Sequence, residues 1–262
     1  MGVLYCEGCW NFEREALQAI NAQFLMPLSW GNGTDCCQWE RVYCNSTTRR
    51  VSKLDLSDVA YHYWHPNYTD FLVFQDLKSL SLGSNDIAYC LQNEGMRLNN
   101  LEELDLGDNS LNTSTAILSC VDGFSSLKSL SLDSNWFDAN SSTLVHAAFQ
   151  TLSSNLLSLE VLDVGNNHFS NDLLAALGGF NSLKNLSLSG TGLISDSAPH
   201  IQGLFSKLIN LEVLDMSWNN FSGKNDIAAS LSALSSLKSL DLGVNQMTLH
   251  SILSNVTLCR HN

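Results

Sequence analysis

The sequence predicts an α/β solenoid with about eight parallel strands on a concave face, short helices on a convex face and a disulfide-stapled cap at the amino terminus. Three observations of the 262-residue chain support this fold. A leucine pattern recurs at nearly constant spacing, the segments between its copies have helical periodicity, and a cysteine-rich stretch precedes the first copy. A stacked array exposes apolar surface at its open end, so it requires a cap there.

The recurring pattern is L-x-x-L-x-L-x-x-N-x-Φ, where Φ is an apolar residue. One degenerate copy and seven close copies start at Val51, Leu77, Leu101, Leu127, Leu159, Leu183, Leu211 and Leu237. Successive starts lie 24 to 32 residues apart, which is close to the period of leucine-rich repeats. We therefore predict leucine-rich repeats over residues 51–262, curved into a horseshoe, and a cap over residues 1–50.

The first half of each copy predicts a short strand followed by a turn. Leu80 and Leu82 face inward and Ser81 faces outward, because alternate residues of a strand point to opposite sides. The asparagine at the ninth place lies inside the turn, where its amide can satisfy backbone groups that would otherwise be buried without partners. Six copies carry it, at Asn85, Asn109, Asn135, Asn167, Asn219 and Asn245. Thr191 and Val59 stand there in the other two copies, so we expect local irregularity at both.

The second half of each copy predicts a helix that returns the chain along the convex face. Residues 142–152, 171–180 and 225–234 have the helical spacing of apolar residues. The residue after each leading leucine alternates in charge along the chain, as Lys78, Glu102, Lys128, Glu160, Lys184, Glu212 and Lys238. Stacking therefore places opposite charges side by side, and each such pair is worth about 0.2–1 kcal/mol.

The cap contains two adjacent cysteines, Cys36 and Cys37, in the stretch DCCQWERVYC. Adjacent cysteines rarely bond to each other because the geometry of that bridge is strained, so the two are expected to reach in different directions. Cys37 can close a small loop with Cys44, and Cys36 can reach back to Cys9. The intervening segment places apolar residues on one helical face, at Ala16, Leu17, Ile20 and Phe24.

The stretches CWNFEREALQAI, LSW and DCCQWERVYCNSTTRRVSKLDL follow one another, and together they resemble the amino-terminal cap of plant extracellular leucine-rich-repeat proteins. The continuation YWHPNYTDFLVFQDLKSLSLGSNDIAYCLQNEG resembles plant receptor-like proteins, which are cell-surface receptors without a kinase domain. The resemblance implies a ligand-recognition ectodomain, at the extracellular face of the plasma membrane or secreted. Such an ectodomain binds a peptide or protein and signals through a co-receptor kinase. The resemblance also implies the disulfides Cys9–Cys36 and Cys37–Cys44.

The cysteine count bears on the compartment, because eight cysteines, an even number, favour an oxidising one. The start of the chain lacks the apolar core of a signal peptide, and no run of about 18 apolar residues predicts a membrane span. We therefore expect a fragment of a secreted or membrane-anchored protein. A bridge from Cys90 to Cys120 can form across the convex face, although they lie 13 and 19 residues after their repeat starts. Cys6 and Cys259 have no evident partner in the sequence.

The formal net charge of −13 argues against a nucleic-acid partner, because phosphate binding needs a basic surface. The outward residue between the two strand leucines is often aspartate. This row is either a recognition strip for a basic or hydroxyl-rich ligand or a solvated polar face. The candidate ligand-binding residues are Asp105, Asp163, Asp215, Trp218, Asp241 and Val244. They are densest in the last two copies, whereas the early copies present mostly serine and glycine.

Eight N-x-S/T sequons mark candidate glycosylation sites, at Asn32, Asn45, Asn67, Asn112, Asn140, Asn185, Asn220 and Asn255. Asn185 faces outward from its strand, so a glycan there would block part of the concave face. The common hydrolase, metalloprotease and phosphate-loop motifs do not occur, and the histidines are scattered. We therefore expect no enzyme activity, no cofactor and no metal site.

The main alternative function is that of a secreted inhibitor of a cell-wall-degrading enzyme, similar to plant polygalacturonase inhibitors. Those proteins share the cap and a solenoid of comparable length. They also carry an L-x-G-x-I-P spacer and a carboxyl-terminal cysteine cap, which this sequence lacks. An intracellular scaffold is a third alternative, against which the cap cysteines argue.

Overall fold

A computed structural model describes residues 9–31, 35–60, 64–91, 98–137, 142–169, 171–222 and 227–246. The expectations for Cys6, Cys259, Asn32, Asn140 and Asn255 lie outside these segments. A single hydrophobic core runs through the cap and the repeats, from Leu17 to Leu234. This continuity is what stacking of the repeats on a cap requires.

The described residues form one sheet whose strands follow in chain order. The strands are β1 (Val42–Cys44), β2 (Val51–Asp55), β3 (Ser79–Ser81), β4 (Glu103–Asp105), β5 (Ser129–Ser131), β6 (Val161–Asp163), β7 (Asn185–Ser187), β8 (Val213–Asp215) and β9 (Ser239–Asp241). Strand β1 belongs to the cap and pairs antiparallel with β2. Each strand from β2 onward pairs parallel with the next. The eight parallel strands predicted from the repeat are therefore confirmed.

The parallel strands share one register, in which equivalent leucines of neighbouring repeats are partners. Leu80 lies opposite Leu104, for example, and both are buried. The outward residues between the inward leucines are likewise partners across the sheet. In the last described repeat, Leu240 and Leu242 are only half-buried, because no further described strand lies beside them.

The convex side carries helices from the third return segment onward. The cap contains α1 (Asn11–Asn21), and the return segments contain α2 (Ser114–Val121), α3 (Ser142–Asn155), α4 (Asn171–Leu177), α5 (Ala198–Phe205) and α6 (Ile227–Leu231). Each of the helices α2 to α5 packs against the next one along the chain. The predicted helices at 142–152, 171–180 and 225–234 are α3, α4 and α6.

The first two return segments differ from the predicted helices. A single 3₁₀ turn, Tyr68–Phe71, follows β2, and the described residues between β3 and β4 hold no helix. The side chain of Tyr68 is buried in this part of the core, and its hydroxyl donates to the backbone oxygen of Cys120 at 2.8 Å. A parallel bridge from Asn67 to Leu91 keeps both segments extended.

Isolated parallel bridges also occur beyond the strands. They join Ile194 to Asn220 and Ser222 to Gln246. The return segments therefore combine short stretches of strand pairing with helices, rather than helices alone.

Three disulfides connect described residues. Cys9 is joined to Cys36 and Cys37 to Cys44, each with a Cα–Cα distance of 5.5 Å. Cys90 is joined to Cys120 at 4.9 Å. Although Cys90 and Cys120 lie 13 and 19 residues after the starts of their repeats, they are close enough in space to bond. Cys90 follows an extended segment, whereas Cys120 lies in α2, and an extended chain covers the same length in fewer residues.

The turns after most of the parallel strands are held by the asparagine of the next repeat. Asn85 donates from its amide nitrogen to the backbone oxygens of Leu56 (2.6 Å) and Leu82 (3.0 Å). Its amide oxygen accepts from the N–H groups of Val59 (2.9 Å) and Ala60 (2.8 Å). Similar bonds recur at Asn109, Asn135, Asn167, Asn219 and Asn245. The predicted asparagine ladder is confirmed, and its bonds reach the preceding repeat.

Thr191 produces the irregularity expected there. Its hydroxyl is too short to replace the amide oxygen, so the N–H of Phe169 instead donates to the backbone oxygen of Thr191 at 3.1 Å. The Thr191 hydroxyl donates to the backbone oxygen of Leu188 at 2.8 Å.

The expectation of an irregular turn at Val59 is wrong. Asp58 has the same left-handed backbone, with a φ of 53°, as the equivalent residues of later repeats. Its N–H donates to the oxygen of Gly83 at 3.0 Å. The turn needs no asparagine of its own because Asn85 of the next repeat supplies the amide.

The residue before the ladder position has a positive φ of 50–64° in all eight repeats. These residues are Asp58, Ser84, Asp108, Ser134, Asn166, Gly190, Trp218 and Val244. In the first seven, the N–H donates to a backbone oxygen of the following repeat. The stacking of repeats therefore fixes a left-handed backbone at a place where the side chain is free to vary.

The alternating charges pair along the edge where the strands begin. Glu102 contacts Lys78 at 2.7 Å and Lys128 at 2.6 Å, and two further Lys–Glu pairs follow along the same edge. Hydrogen bonds from these two lysines hold the pKa of Glu102 at about 2. The pairs are exposed and screened by solvent, so they contribute little to stability.

Glu13 of α1 lies buried where the cap meets the first repeat. One carboxylate oxygen accepts from the N–H of Val51 at 2.9 Å. The other is 3.7 Å from the guanidinium of Arg50, which stacks over Trp10 at 4.3 Å. Burial raises the pKa of Glu13, and the charge of Asp76 adds to this, against the opposing effects of Val51 and Arg50.

We predict that Asn135→Ala lowers the free energy of unfolding by about 1–3 kcal/mol. The substitution leaves the buried N–H of Leu111 without its partner, which costs about 1–3 kcal/mol, whereas the oxygen of Leu106 keeps its hydrogen bond from Asn109. Urea unfolding measures the change. Asn99→Ala, at an exposed asparagine, is the control and should stay within about 0.5 kcal/mol of the unsubstituted protein. Equal effects of the two would contradict the ladder.

We predict that Glu13→Gln removes part of the pH dependence of stability. A carboxyl whose pKa is raised in the folded state adds stability that is complete below its unfolded pKa, 4.5. That stability is lost as the pH rises through the folded pKa. Glutamine keeps an acceptor for Val51 and carries no charge, so the variant should be at least as stable at pH 7. Thermal unfolding from pH 4 to 8 tests this, with the exposed Glu15→Gln as control. A curve parallel to that of the unsubstituted protein would count against the assignment.

Candidate functional site

The candidate site is the concave side of the sheet, where β2 to β9 present alternate residues to solvent. The aspartates predicted to bind ligand lie in one row, because each occupies the same place in its repeat. The structure therefore brings Asp105, Asp163, Asp215 and Asp241 onto a single face. Asp215 and Asp241 are direct neighbours, whereas a serine separates Asp163 from Asp215.

These four aspartates also stabilise the strand ends. One oxygen of each accepts a hydrogen bond of 2.7–3.0 Å from the backbone N–H two residues further on. Such a bond is the usual use of aspartate at a turn. For Asp105 the second oxygen is also occupied, because the hydroxyl of Ser81 donates to it at 2.8 Å. Asp105 is thus used by the fold at both oxygens.

Asp163 lies near the middle of the row and is partly buried. Burial raises its pKa, and the nearby charges of Asp133 and Asp215 raise it further, against hydrogen bonds from Gly165 and Ser187. A cation near this row would relieve part of that repulsion. The electrostatic character of the central concave face is therefore that of a negatively charged surface.

Asp215 and Asp241 differ from Asp105 in the use of their second oxygens. Among the described residues, these two oxygens have no hydrogen-bond partner, and the side chain of Asp241 is exposed. Both carboxylates are therefore able to accept further hydrogen bonds from a bound molecule.

Trp218 and Val244 follow these two aspartates three residues further along their repeats. Trp218 is 67% exposed and Val244 is 61% exposed. Both have left-handed backbones, with φ values of 53° and 52°. Each is an apolar side chain at a place where other repeats carry aspartate, serine, asparagine or glycine.

The amino-terminal half of the concave face holds a polar depression of about 260 Å³. Its lining includes Lys53, Asp55, Glu103, Asp105 and several serines. Exposed Tyr43 lies beside it, with the ammonium of Lys53 5.8 Å from its ring. The early repeats thus form a depression that their serines and glycines did not predict, but the described lining contains few apolar groups.

Sequence reasoning missed several exposed apolar residues, among them Val213, Tyr43 and Trp136. Val213 is a cross-strand neighbour of Asn185 and adds apolar surface two residues before Asp215. Tyr43 faces outward from the cap strand, and Trp136 is 74% exposed with a φ of 59°. The alternation of inward and outward residues could have identified Val213, whereas the exposure of Trp136 depends on a turn conformation that the repeat pattern does not encode.

Five of the eight sequons lie on described residues. Asn112 and Asn220 are exposed, and Asn45, Asn67 and Asn185 are half-buried. Asn185 is part of β7 on the concave face, as predicted. Among the described residues, no three metal-binding side chains are grouped closely enough to hold an ion.

Comparison with known families gives matches at the cap and in two repeats. Residues 11–45 match the family described as Leucine rich repeat N-terminal domain. Residues 158–180 and 210–231 match the family described as Leucine Rich Repeat.

Curated relatives align with nearly the whole chain. Cuscuta receptor 1 from Solanum lycopersicum is 32% identical over 261 residues, which cover 94% of this chain and 21% of that protein. Receptor like protein 21 from Arabidopsis thaliana is 31% identical over 257 residues, covering 93% of this chain and 20% of that protein. The chain thus spans about a fifth of the length of these two relatives.

Solved structures share the fold. Human 5T4 superposes with a TM-score of 0.51 at 28% identity, over 66% of this chain and 61% of that one. The Arabidopsis receptor kinase HAESA, in complex with the peptide hormone IDA and the co-receptor SERK1, gives a TM-score of 0.57 at 21% identity. That superposition covers 91% of this chain and 42% of HAESA.

Within the described part of this chain, every helix is too short or too polar to cross a membrane. The matched cap, the matched repeats and the receptor relatives agree with the asparagine ladder and the parallel sheet. This chain has a leucine-rich-repeat cap and leucine-rich repeats, and nearly its whole length is similar to part of plant receptor-like proteins.

Proposed function

We propose that this chain is part of the ligand-recognition ectodomain of an extracellular receptor and binds a basic peptide or protein. We place the binding surface on the carboxyl-terminal half of the concave face. One observation carries this proposal. Trp218 and Val244 are bulky, exposed and held in a disfavoured backbone conformation, three residues after Asp215 and Asp241 on the same two repeats.

The backbone at Trp218 and Val244 is costly for the fold. A residue other than glycine in the left-handed region costs about 1–3 kcal/mol, and such strain is concentrated at functional sites. Valine is especially unsuited to it because its side chain is branched at Cβ. Neither side chain recovers the cost by burial, since both are mostly exposed. Binding is therefore a better account of these two residues than stability.

The charge of the surface indicates what would bind. Asp215 and Asp241 are opposite each other on neighbouring strands, which lie about 4.8 Å apart. Like charges in such positions repel, and a lysine or arginine of a ligand would relieve the repulsion. The net charge of −13 would also attract a basic ligand from a distance.

The apolar groups indicate how a ligand would be anchored. Trp218 and Val244 belong to adjacent repeats, and Val213 adds a third apolar group nearby. Exposed tryptophan is typical of the residues that dominate interface energies. The surface therefore suits a ligand with an aromatic or aliphatic side chain next to a basic one.

The remaining parts of the proposal concern the full-length protein. The relatives are named as receptors, and HAESA was solved with a peptide hormone and a co-receptor. We propose by analogy that a co-receptor kinase completes signalling and that the ectodomain lies outside the cell. The three disulfides support that location. The role is binding, not catalysis. No observation on the described residues favours the enzyme-inhibitor alternative.

Selection from a displayed library of random 12-residue peptides against the secreted chain would supply the probe for this surface. We predict that selected peptides are enriched in lysine or arginine next to an aromatic or aliphatic residue. Loss of capture when excess free peptide is added shows that capture is specific. Enrichment of acidic sequences would contradict the proposal.

We predict that Trp218→Asn weakens binding of a selected peptide by about 2 kcal/mol, which is roughly 30-fold in Kd. Its free energy of unfolding should be unchanged or higher, because asparagine adopts a positive φ more readily than tryptophan. Calorimetric titration and urea unfolding measure the two quantities.

Trp136→Asn is the matched control, since Trp136 is also exposed and has a positive φ but lies three repeats away. It should leave the affinity unchanged. An equal loss in both variants would place the binding surface elsewhere. Full glycan occupancy of Asn185, next to Val213 in the sheet, would do the same.

We predict that Asp215→Asn combined with Asp241→Asn slows association of the same peptide and reduces the salt dependence of its affinity. The amide oxygens can still accept the N–H groups of Ser217 and Gly243, so the fold should persist. Each lost charge should weaken binding by roughly 0.2–1 kcal/mol. Asp105→Asn, whose oxygens serve the fold, is the control. A double variant with unchanged association rates at low salt would show that these carboxylates do not contact the ligand.

A further inference from the structure

We infer that Asn45 carries an N-linked glycan whose first sugars lie in a polar depression along the edge where the strands begin. This inference concerns a different surface from the proposed ligand site and does not depend on it. It rests on the position of Asn45 at the wall of that depression, on its hydrogen bonds and on the chemistry of the lining.

The depression has a volume of about 580 Å³, larger than the one on the concave face. Asn45 lies at the end where the cap meets the repeats. The remaining lining comes from the starts of successive repeats and includes Gln75, Lys78, Glu102 and Lys128, together with serines. All the residues that line it are polar, whereas sites for drug-like molecules and cofactors are lined mainly by apolar groups. A hydroxyl-rich occupant suits this lining.

Asn45 is held with its amide nitrogen available. Its side-chain oxygen accepts from the backbone N–H groups of Thr47 at 2.9 Å and Thr48 at 3.2 Å. No described residue is hydrogen-bonded to the side-chain amide nitrogen, Nδ2, of Asn45. The turn is fastened to the wall of the depression, since the hydroxyl of Thr48 donates to Asp76 at 2.5 Å. Because Asn45 begins the sequon Asn-Ser-Thr, this nitrogen is the atom that glycosylation would modify.

The modification is a group transfer with a defined donor. An oligosaccharide linked to a lipid pyrophosphate supplies the sugar, and the oligosaccharyltransferase of the secretory pathway catalyses the step. The amide nitrogen of Asn45 forms a bond to the first carbon of the sugar, while the bond from that carbon to the pyrophosphate oxygen breaks. The nitrogen loses one proton, the lipid pyrophosphate departs with the electron pair, and no oxidation or reduction occurs.

The lining offers hydrogen-bonding groups of both kinds to sugar hydroxyls. Glu102 is an acceptor, and the ammonium groups of Lys78 and Lys128 on either side of it are donors. Each ammonium has three hydrogens, so its bond to Glu102 leaves donors for a sugar. Amide and hydroxyl groups of Gln75 and the serines complete the lining.

Asn112 provides a contrast on another part of the surface. It is exposed and does not line the depression. A glycan on Asn112 would extend into solvent, as glycans on surface sequons usually do. A glycan on Asn45 would therefore cover protein surface, whereas a glycan on Asn112 would not.

A seated glycan would change access to one edge of the solenoid. Sugars in the depression would cover the lysines near the cap and leave the last lysine of the same row, Lys238, uncovered. A protein partner could then approach the solenoid from the concave side but not from this edge near the cap.

The test uses the whole chain secreted from insect cells with an added signal peptide. Mass spectrometry of glycopeptides measures occupancy of Asn45. Brief acetylation of the folded protein, followed by peptide mapping, then measures the reactivity of Lys78, Lys128 and Lys238. The comparison variant is Thr47→Ala, which removes the sequon and keeps the side chain of Asn45 in its turn. Asn112→Gln is the control for loss of a glycan elsewhere.

We expect Asn45 to be occupied and Lys78 and Lys128 to react at least threefold more slowly in the glycosylated protein than in Thr47→Ala. Lys238 should react equally in both, and Asn112→Gln should change none of the three. A second variant, Asn45→Asp, keeps the oxygen acceptor and should match Thr47→Ala. An unmodified Asn45 in a secreted protein that is glycosylated elsewhere would overturn the inference. Equal lysine reactivity with and without the glycan would also overturn it.

Discussion

The buried backbone groups in each turn of this protein cannot all find hydrogen-bond partners within their own repeat. After each strand the chain bends inward, and backbone oxygens and N–H groups are carried into the core. The N–H groups depend on the amide oxygen of the following repeat's asparagine, as Val59 depends on Asn85, whereas an oxygen such as that of Leu82 accepts from Asn85 of its own repeat and from Asn109 of the next. Since a buried polar group without a partner costs about 1–3 kcal/mol, neighbouring repeats must stack in one register. The parallel sheet and the outward row of residues follow from that requirement.

The same constraint explains why binding residues can be placed without disturbing the core. The stacking bonds are made by backbone groups and by the ladder asparagine, so they set the left-handed conformation before the ladder whatever side chain stands there. Polar residues that tolerate this conformation occupy it in most repeats, and Trp218 and Val244 are the exceptions. The aspartates of the concave row also serve two purposes, with one oxygen used by the turn and the other, in Asp215 and Asp241, left for solvent or ligand.

Much of the fold was predictable because it depends on spacing. The leucine pattern specified the inward residues of every parallel strand, the ninth-place asparagines specified the ladder, and the alternating charges specified the ion pairs along one edge. The first two return segments were harder to predict, since bulky Tyr68 and the bridge to Leu91 decide their shape. The turn at Val59 was misjudged because its amide comes from another repeat. For the candidate site, sequence placed the aspartates on one face but did not show which of their oxygens the fold already uses.

The direction of the asparagine bonds has a consequence for how the chain is made. Most turns are completed by an asparagine amide that lies one repeat further toward the carboxyl terminus, 24 to 32 residues later in most cases. During synthesis, a repeat that has just left the ribosome therefore still lacks its last partners. It becomes fully closed only when the next ladder asparagine emerges. Ordering of the solenoid thus trails translation by about one repeat, and the disulfide-bonded cap, which is made before the repeats, is the natural place for it to begin.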